Sequence, residues 1–147
     1  AHVPAGTPVG AWGSSMGAAA VAFAAGERPE LFDFVVLDSC YGRLDRCVGG
    51  WWRFVGGPVL SALLAPVMPL AAILAEFDPR KADVPAFLPS YDGPILLLHG
   101  EEDDLARPDE VRRILAAVPQ AEVKWFPGSP HSAARWEHPG EYVRVSE

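Results

Sequence analysis

A serine hydroxyl attacks well at neutral pH only when a base takes its proton, and that base works best when an acid fixes its tautomer. Three stretches of this sequence supply those groups in chain order. Gly13-Ser14-Ser15-Met16-Gly17 flanks Ser15 with glycines, His99-Gly100-Glu101-Glu102-Asp103-Asp104 carries carboxylates, and Pro127-Gly128-Ser129-Pro130-His131 carries an imidazole. The chemistry open to such a set is nucleophilic attack by Ser15, with His131 as the base and Asp103 as the acid. The backbone N–H of Met16 would face the negative charge that develops beside Ser15.

Each assignment has rivals. A glycine-rich helix start needs only a capping serine, which either Ser14 or Ser15 could be. Ser14 lacks the symmetric glycine flanks. Asp104, next to Asp103, and Asp38, farther upstream, are the alternative acids, and four consecutive acids often form nothing more than a solvated loop. For the base, His99 falls in an apolar run and reads as a core histidine, His138 precedes Pro139 at a helix start, and His2 lies near the terminus. Cys40 and Cys47 are too few for a disulfide scaffold and read as free thiols. Neither has a base placed for it.

These groups meet only if the chain brings three distant loops to one rim. Four short apolar runs, Val9–Trp12, Phe34–Leu37, Ile95–Leu98 and Val123–Phe126, read as buried parallel strands. Met16 to Ala25 reads as a helix closed by Gly26, and Pro108 to Val118 as another stopped by Pro119. Strand, helix, strand, insert, strand, helix, strand is the order of an α/β domain with crossover helices. Ser15, the acids and His131 then each follow a strand, at the edge of a parallel sheet where active sites collect.

The insert between the second and third strands is far longer than one crossover needs. Within it, 22 residues from Phe54 to Ala75 carry no charge. That is long enough to cross a bilayer, but one crossing would separate strands that belong to one sheet. Gly56-Gly57, Pro58, Pro66 and Pro69 also interrupt any single helix. Two or three short helices forming an apolar cap over about 45–85 are expected, with Trp51 and Trp52 as candidates for shallow contact with a membrane interface.

With 147 residues the chain is expected to form one domain. Half its residues are hydrophobic and 21% are charged, which excludes disordered, coiled-coil and fibrous classes. The net charge of −7, with no basic run, argues against nucleic acid as a partner. Nothing at the N-terminus resembles a signal peptide, so no compartment is assigned beyond the cytoplasm as the default expectation.

In this setting the sequence resembles the α/β-hydrolase fold serine hydrolases over essentially its whole length. Gly13 to Gly17 looks like that family's nucleophile elbow, and His99-Gly100 with Asp103 looks like its acid loop. His131 with Pro139 and Tyr142 is similar to its base loop and final helix, and Asp38 to Leu44 is similar to a stretch in a bacterial esterase-like branch. Pro130 departs from the glycine often found before the histidine. The resemblance implies a partial α/β-hydrolase fold that begins near the fifth of eight strands and stops within the last helix. It implies an esterase-like activity on a small ester or related acyl substrate with an apolar part, needing no cofactor and no metal. A peptidase of the same fold is the alternative. So is a non-catalytic fragment, because the loop that supplies the second oxyanion donor lies upstream of the elbow.

Overall fold

In the computed structural model, which describes residues 4, 6–74 and 76–146, the four apolar runs become one parallel sheet with strands in sequence order. They are β1 (Gly10–Ser14), β2 (Phe34–Asp38), β3 (Ile95–Gly100) and β4 (Glu122–Phe126). Their helices are α1 (Met16–Glu27), α2 (Leu44–Leu64), α3 (Val67–Leu74), α4 (Val84–Phe87), α5 (Pro108–Ala117), α6 (Ala134–Glu137) and α7 (Pro139–Ser146).

Alternation along the strands sorts side chains onto two faces. Val35, Leu37, Ile95 and Leu97 point to one side, where they meet Ala18, Ala19, Ala22 and Ala25 of α1, Val84 of α4, and Val111 and Ile114 of α5. The small alanines let α1 lie close against the sheet. Val36, Leu98 and Phe126 point to the other side, covered by Ala134 of α6 and Tyr142 of α7. The register aligns Ser14 with Asp38, and pairs His99 with Trp125 and Gly100 with Phe126. The strands therefore end at a common level, and the loops that follow them share one edge.

Several boundaries differ from those the sequence suggests. β1 starts at Gly10 rather than Val9 and continues to Ser14, while β3 extends through His99 and Gly100, because ladder pairing with neighbours outlasts the apolar runs. Gly26 does not close α1; the helix passes through it to Glu27, and a Cβ there would strike the Phe87 carbonyl. Helix α5 ends one residue early, at Ala117.

The insert is helical, as expected, but its first helix is longer than short-helix reasoning suggests. Helix α2 runs 21 residues and bends at Gly56 and Gly57, where φ reaches 68° at Gly57 and Pro58 opens the second half. Neither α2 nor α3 buries a residue fully. The start of α2 is anchored: Arg46 donates to the buried Glu110 of α5 at 2.5 Å, and Leu44 and Cys47 pack against the core. Beyond that anchor the surface is apolar and exposed. Among the described residues no single helix is long and apolar enough to cross a membrane; α2 and α3 reach the length only as a pair bent by 71°.

Candidate functional site

β1 delivers Ser15 into a sharp turn, with φ 54° and ψ −117°, immediately before Met16 opens α1. A non-glycine residue at positive φ is strained, and here the Ser15 N–H is tied to the Asp38 carbonyl at 2.8 Å. Gly13 makes the turn possible, since a Cβ at that position would run into the Gly17 carbonyl of the returning helix. Gly17 itself faces open space among the described residues. Met16 occupies the first helical position, so its N–H has no partner four residues back within the helix and lies at the positive end of the helix dipole.

The acid loop leaves β3 and the histidine loop leaves β4, and the two are stitched together. Glu101 N–H donates to the Phe126 carbonyl at 3.0 Å and Glu102 N–H to the Ser129 carbonyl at 3.1 Å. Gly100 permits this closeness, because any Cβ there would collide with the Ser129 carbonyl. Of the four consecutive acids only Asp103 is buried, at 1% exposure; Glu101, Glu102 and Asp104 face solvent.

Asp103 is held by its own loop. Its Oδ1 accepts N–H donors from Leu105 at 3.0 Å and Ala106 at 2.7 Å, which turns Oδ2 toward His131. His131 Nδ1 lies 2.8 Å from Asp103 Oδ2, and His131 Nε2 lies 2.8 Å from Ser15 Oγ. An ionised carboxylate can only accept, so Nδ1 carries the proton and a neutral ring presents its Nε2 lone pair to the Ser15 hydroxyl. Ser15, His131 and Asp103 thus form one continuous hydrogen-bonded chain. The His131 side chain keeps 19% of its surface exposed while Asp103 keeps none, so the charged end is enclosed and the reactive end is open.

The rivals sit elsewhere. Asp38 is buried, and its carboxylate accepts from Ser39 and Tyr142 rather than from a histidine. Ser14 Oγ contacts Ser132 Oγ at 3.1 Å. His99 is a buried support residue: its Nε2 donates to the Ala106 carbonyl at 2.6 Å, and its ring packs edge-on to Trp125. Burial lowers its pKa below the ordinary 6.5, opposed by the Asp103 carboxylate 3.6 Å away. His138 reaches the Pro127 carbonyl at 3.1 Å, and His2 falls outside the described residues.

Cys40 and Cys47 are free thiols. Burial pushes Cys40 far up, and burial together with Asp103 and Glu110 raises Cys47 to about 11, so both stay protonated at neutral pH. Among the described residues no group of three His, Cys, Asp or Glu side chains converges as a metal site. Sequence reasoning missed Ser39 and Ser132, two serines at positive φ beside this chain of groups. Nothing local distinguishes them from ordinary loop serines.

No protein-family model matches the sequence, and a search of curated proteins finds no match. Solved structures do match. An esterase from Pyrococcus furiosus superposes with a TM-score of 0.65 at 24% identity, over 92% of this chain and 50% of its own. An acylaminoacyl peptidase, solved with a chloromethyl ketone, gives 0.67 at 16% identity over 94% of this chain and 22% of its own. A meta-cleavage product hydrolase from Pseudomonas fluorescens gives 0.63 at 18% identity over 92% of this chain and 61% of its own. The fold these likenesses share is that of a further match, an alpha/beta hydrolase enzyme from lagoon sediment, which gives 0.65 at 21% identity over 95% of this chain and 59% of its own. The chain therefore has the α/β-hydrolase fold in part, spanning about half the length of the Pyrococcus furiosus esterase chain that it matches.

Proposed function

We propose that this protein is a serine hydrolase acting on carboxylic esters or related acyl bonds. The observation that carries this reading is the hydrogen-bonded chain from Ser15 Oγ through His131 to Asp103, with both links at 2.8 Å. Ser15 attacks the acyl carbon while His131 Nε2 takes its proton and later returns it to the leaving group; Asp103 orients the ring and stabilises the imidazolium. The Met16 N–H, at the head of α1, donates to the oxyanion. The resemblance places a second donor in a loop after a strand that has no counterpart among the four here.

Residues 45–85 act as a cap on a single hydrolase domain. The apolar α2 and α3 favour a small-molecule substrate with a hydrophobic acyl or alcohol part. A panel of p-nitrophenyl esters of increasing chain length, run beside aminoacyl-p-nitroanilides, separates ester from amide hydrolysis. Ester turnover that rises with chain length and vanishes in Ser15→Ala is expected. Full activity in Ser15→Ala, or turnover of anilides alone, would contradict the reading.

A further inference from the structure

Asp38 and Ser39 touch none of the reacting atoms, yet both sides of the site converge on them. The Asp38 carbonyl accepts the N–H of Ser15 at 2.8 Å. Its carboxylate, enclosed at 1% exposure, accepts the Ser39 hydroxyl on Oδ1 at 3.1 Å and the Tyr142 hydroxyl on Oδ2 at 2.8 Å. Ser39 Oγ in turn accepts the backbone N–H of Ser132, the residue next to His131, at 3.0 Å. Ser132 Oγ then meets Ser14 Oγ, the neighbour of Ser15, at 3.1 Å. The loop is closed: nucleophile turn, end of β2, histidine loop, and back to the nucleophile turn.

Two features show that this circuit holds its residues against their preferences. Ser39 has φ 50° and Ser132 has φ 55°, a backbone region that side chains with a Cβ avoid. A carboxylate that is fully enclosed must have its acceptors filled, and Ser39 and Tyr142 fill one oxygen each. Tyr142 brings α7 into the same circuit. Burial, with the Asp38 carboxylate beside it, raises the Tyr142 pKa and keeps that phenol a donor.

We infer that Asp38 and Ser39 are positioning residues, which fix the backbone on both sides of the Ser15–His131 contact and so set the alignment of nucleophile and base. The inference rests on the serine-hydrolase reading and deepens it. Alignment at this level controls rate more than affinity: a displacement of about 1 Å costs about 10²-fold.

The decisive variant is Ser39→Gly, because glycine is at ease at φ 50° and the substitution removes the hydroxyl without adding strain. Assayed at a temperature where the variant is still folded, it lowers kcat on a p-nitrophenyl ester by about 10²-fold with KM held, while Tm falls because the buried Asp38 Oδ1 has lost its donor. The downfield proton resonance of His131 Nδ1–H broadens or disappears under conditions where the parent protein shows it. Tyr142→Phe, which removes one donor to Asp38, produces a smaller fall of the same kind and covers the case in which Ser39→Gly does not fold. Parent-level kcat and an unchanged resonance in Ser39→Gly overturn the inference. So does a loss of kcat seen only at temperatures where the variant unfolds. Ser15→Ala, run alongside, separates the two ideas: if it stays active, both fail, whereas if it is dead while Ser39→Gly is fully active, only the positioning role fails.

Discussion

The strand-end loops and the insert are built to opposite rules. At the loops, the carboxylates near Ser15 and His131 are committed: Asp103 accepts from two backbone amides and His131, and Asp38 accepts from Ser39 and Tyr142 on its carboxylate and from the Ser15 amide on its carbonyl. In the insert, Val59, Leu63, Ile73 and Leu74 stand 70% or more exposed, and no residue of α2 or α3 is buried. Reacting groups need a fixed geometry, which closed polar circuits provide. The insert instead presents exposed apolar side chains on a helix bent at Gly56 and Gly57, the surface that the proposed function assigns to the apolar part of the substrate. Substitutions in the two regions should therefore act on different quantities, kcat in the first and KM in the second.

The largest expected effect breaks the loop side. Asp103→Asn keeps size and burial but presents an amide that no longer demands a proton on Nδ1, so His131 can adopt the wrong tautomer and kcat falls by about 10⁴-fold. Stopped-flow or single-turnover hydrolysis with KM measured separately checks this. A fall confined to KM would place Asp103 with the insert rather than with the rigid circuit.

A second effect follows from His99, which braces the acid loop through the Ala106 carbonyl. Its pKa in the folded protein lies below the ordinary 6.5 because burial penalises the charged ring. The unfolded chain then binds the proton more readily than the folded one, so stability is fully present above about pH 6.5 and declines as pH falls through and below it. Thermal unfolding followed from about pH 8 to about pH 5 should show that decline, and His99→Gln should flatten this part of it. An identical slope in the variant would remove His99 from the account.

The smallest expected effect lies in the insert. Leu63→Ser and Ile73→Ser replace exposed apolar side chains, so stability shifts by no more than about 0.5 kcal/mol. KM for long-chain esters rises while that for short-chain esters stays put. Chemical denaturation and a chain-length series measure the two. A large loss of stability would show that these side chains are covered in the working protein.

The same contrast explains what could be read from the sequence. Strands announce themselves as apolar runs, and Ser15, Asp103 and His131 stand at the turns after them, so element order and the residues that meet at the rim were both legible. Strand ends were not, because Ser14, His99 and Gly100 extend the ladder by pairing with partners whose register no local pattern encodes. Gly26 looked like a stop because glycine commonly ends helices, but its missing Cβ serves the close approach of Phe87 instead. The circuit through Asp38 was out of reach: its partners lie 93 residues away from Ser39 and 104 from Asp38, and a lone serine carries no signal of such a contact. Long-range polar closure depends on the fold already being present.

Serine-hydrolase chemistry in this protein requires Ser15 to be the residue that forms the covalent bond. Treating the protein with a fluorophosphonate and mapping the adduct by peptide mass spectrometry reads this directly. A single adduct on Ser15, missing from His131→Ala, is the predicted result. An adduct on Ser14 or elsewhere, or a Ser15 adduct formed just as fast in His131→Ala, would contradict it.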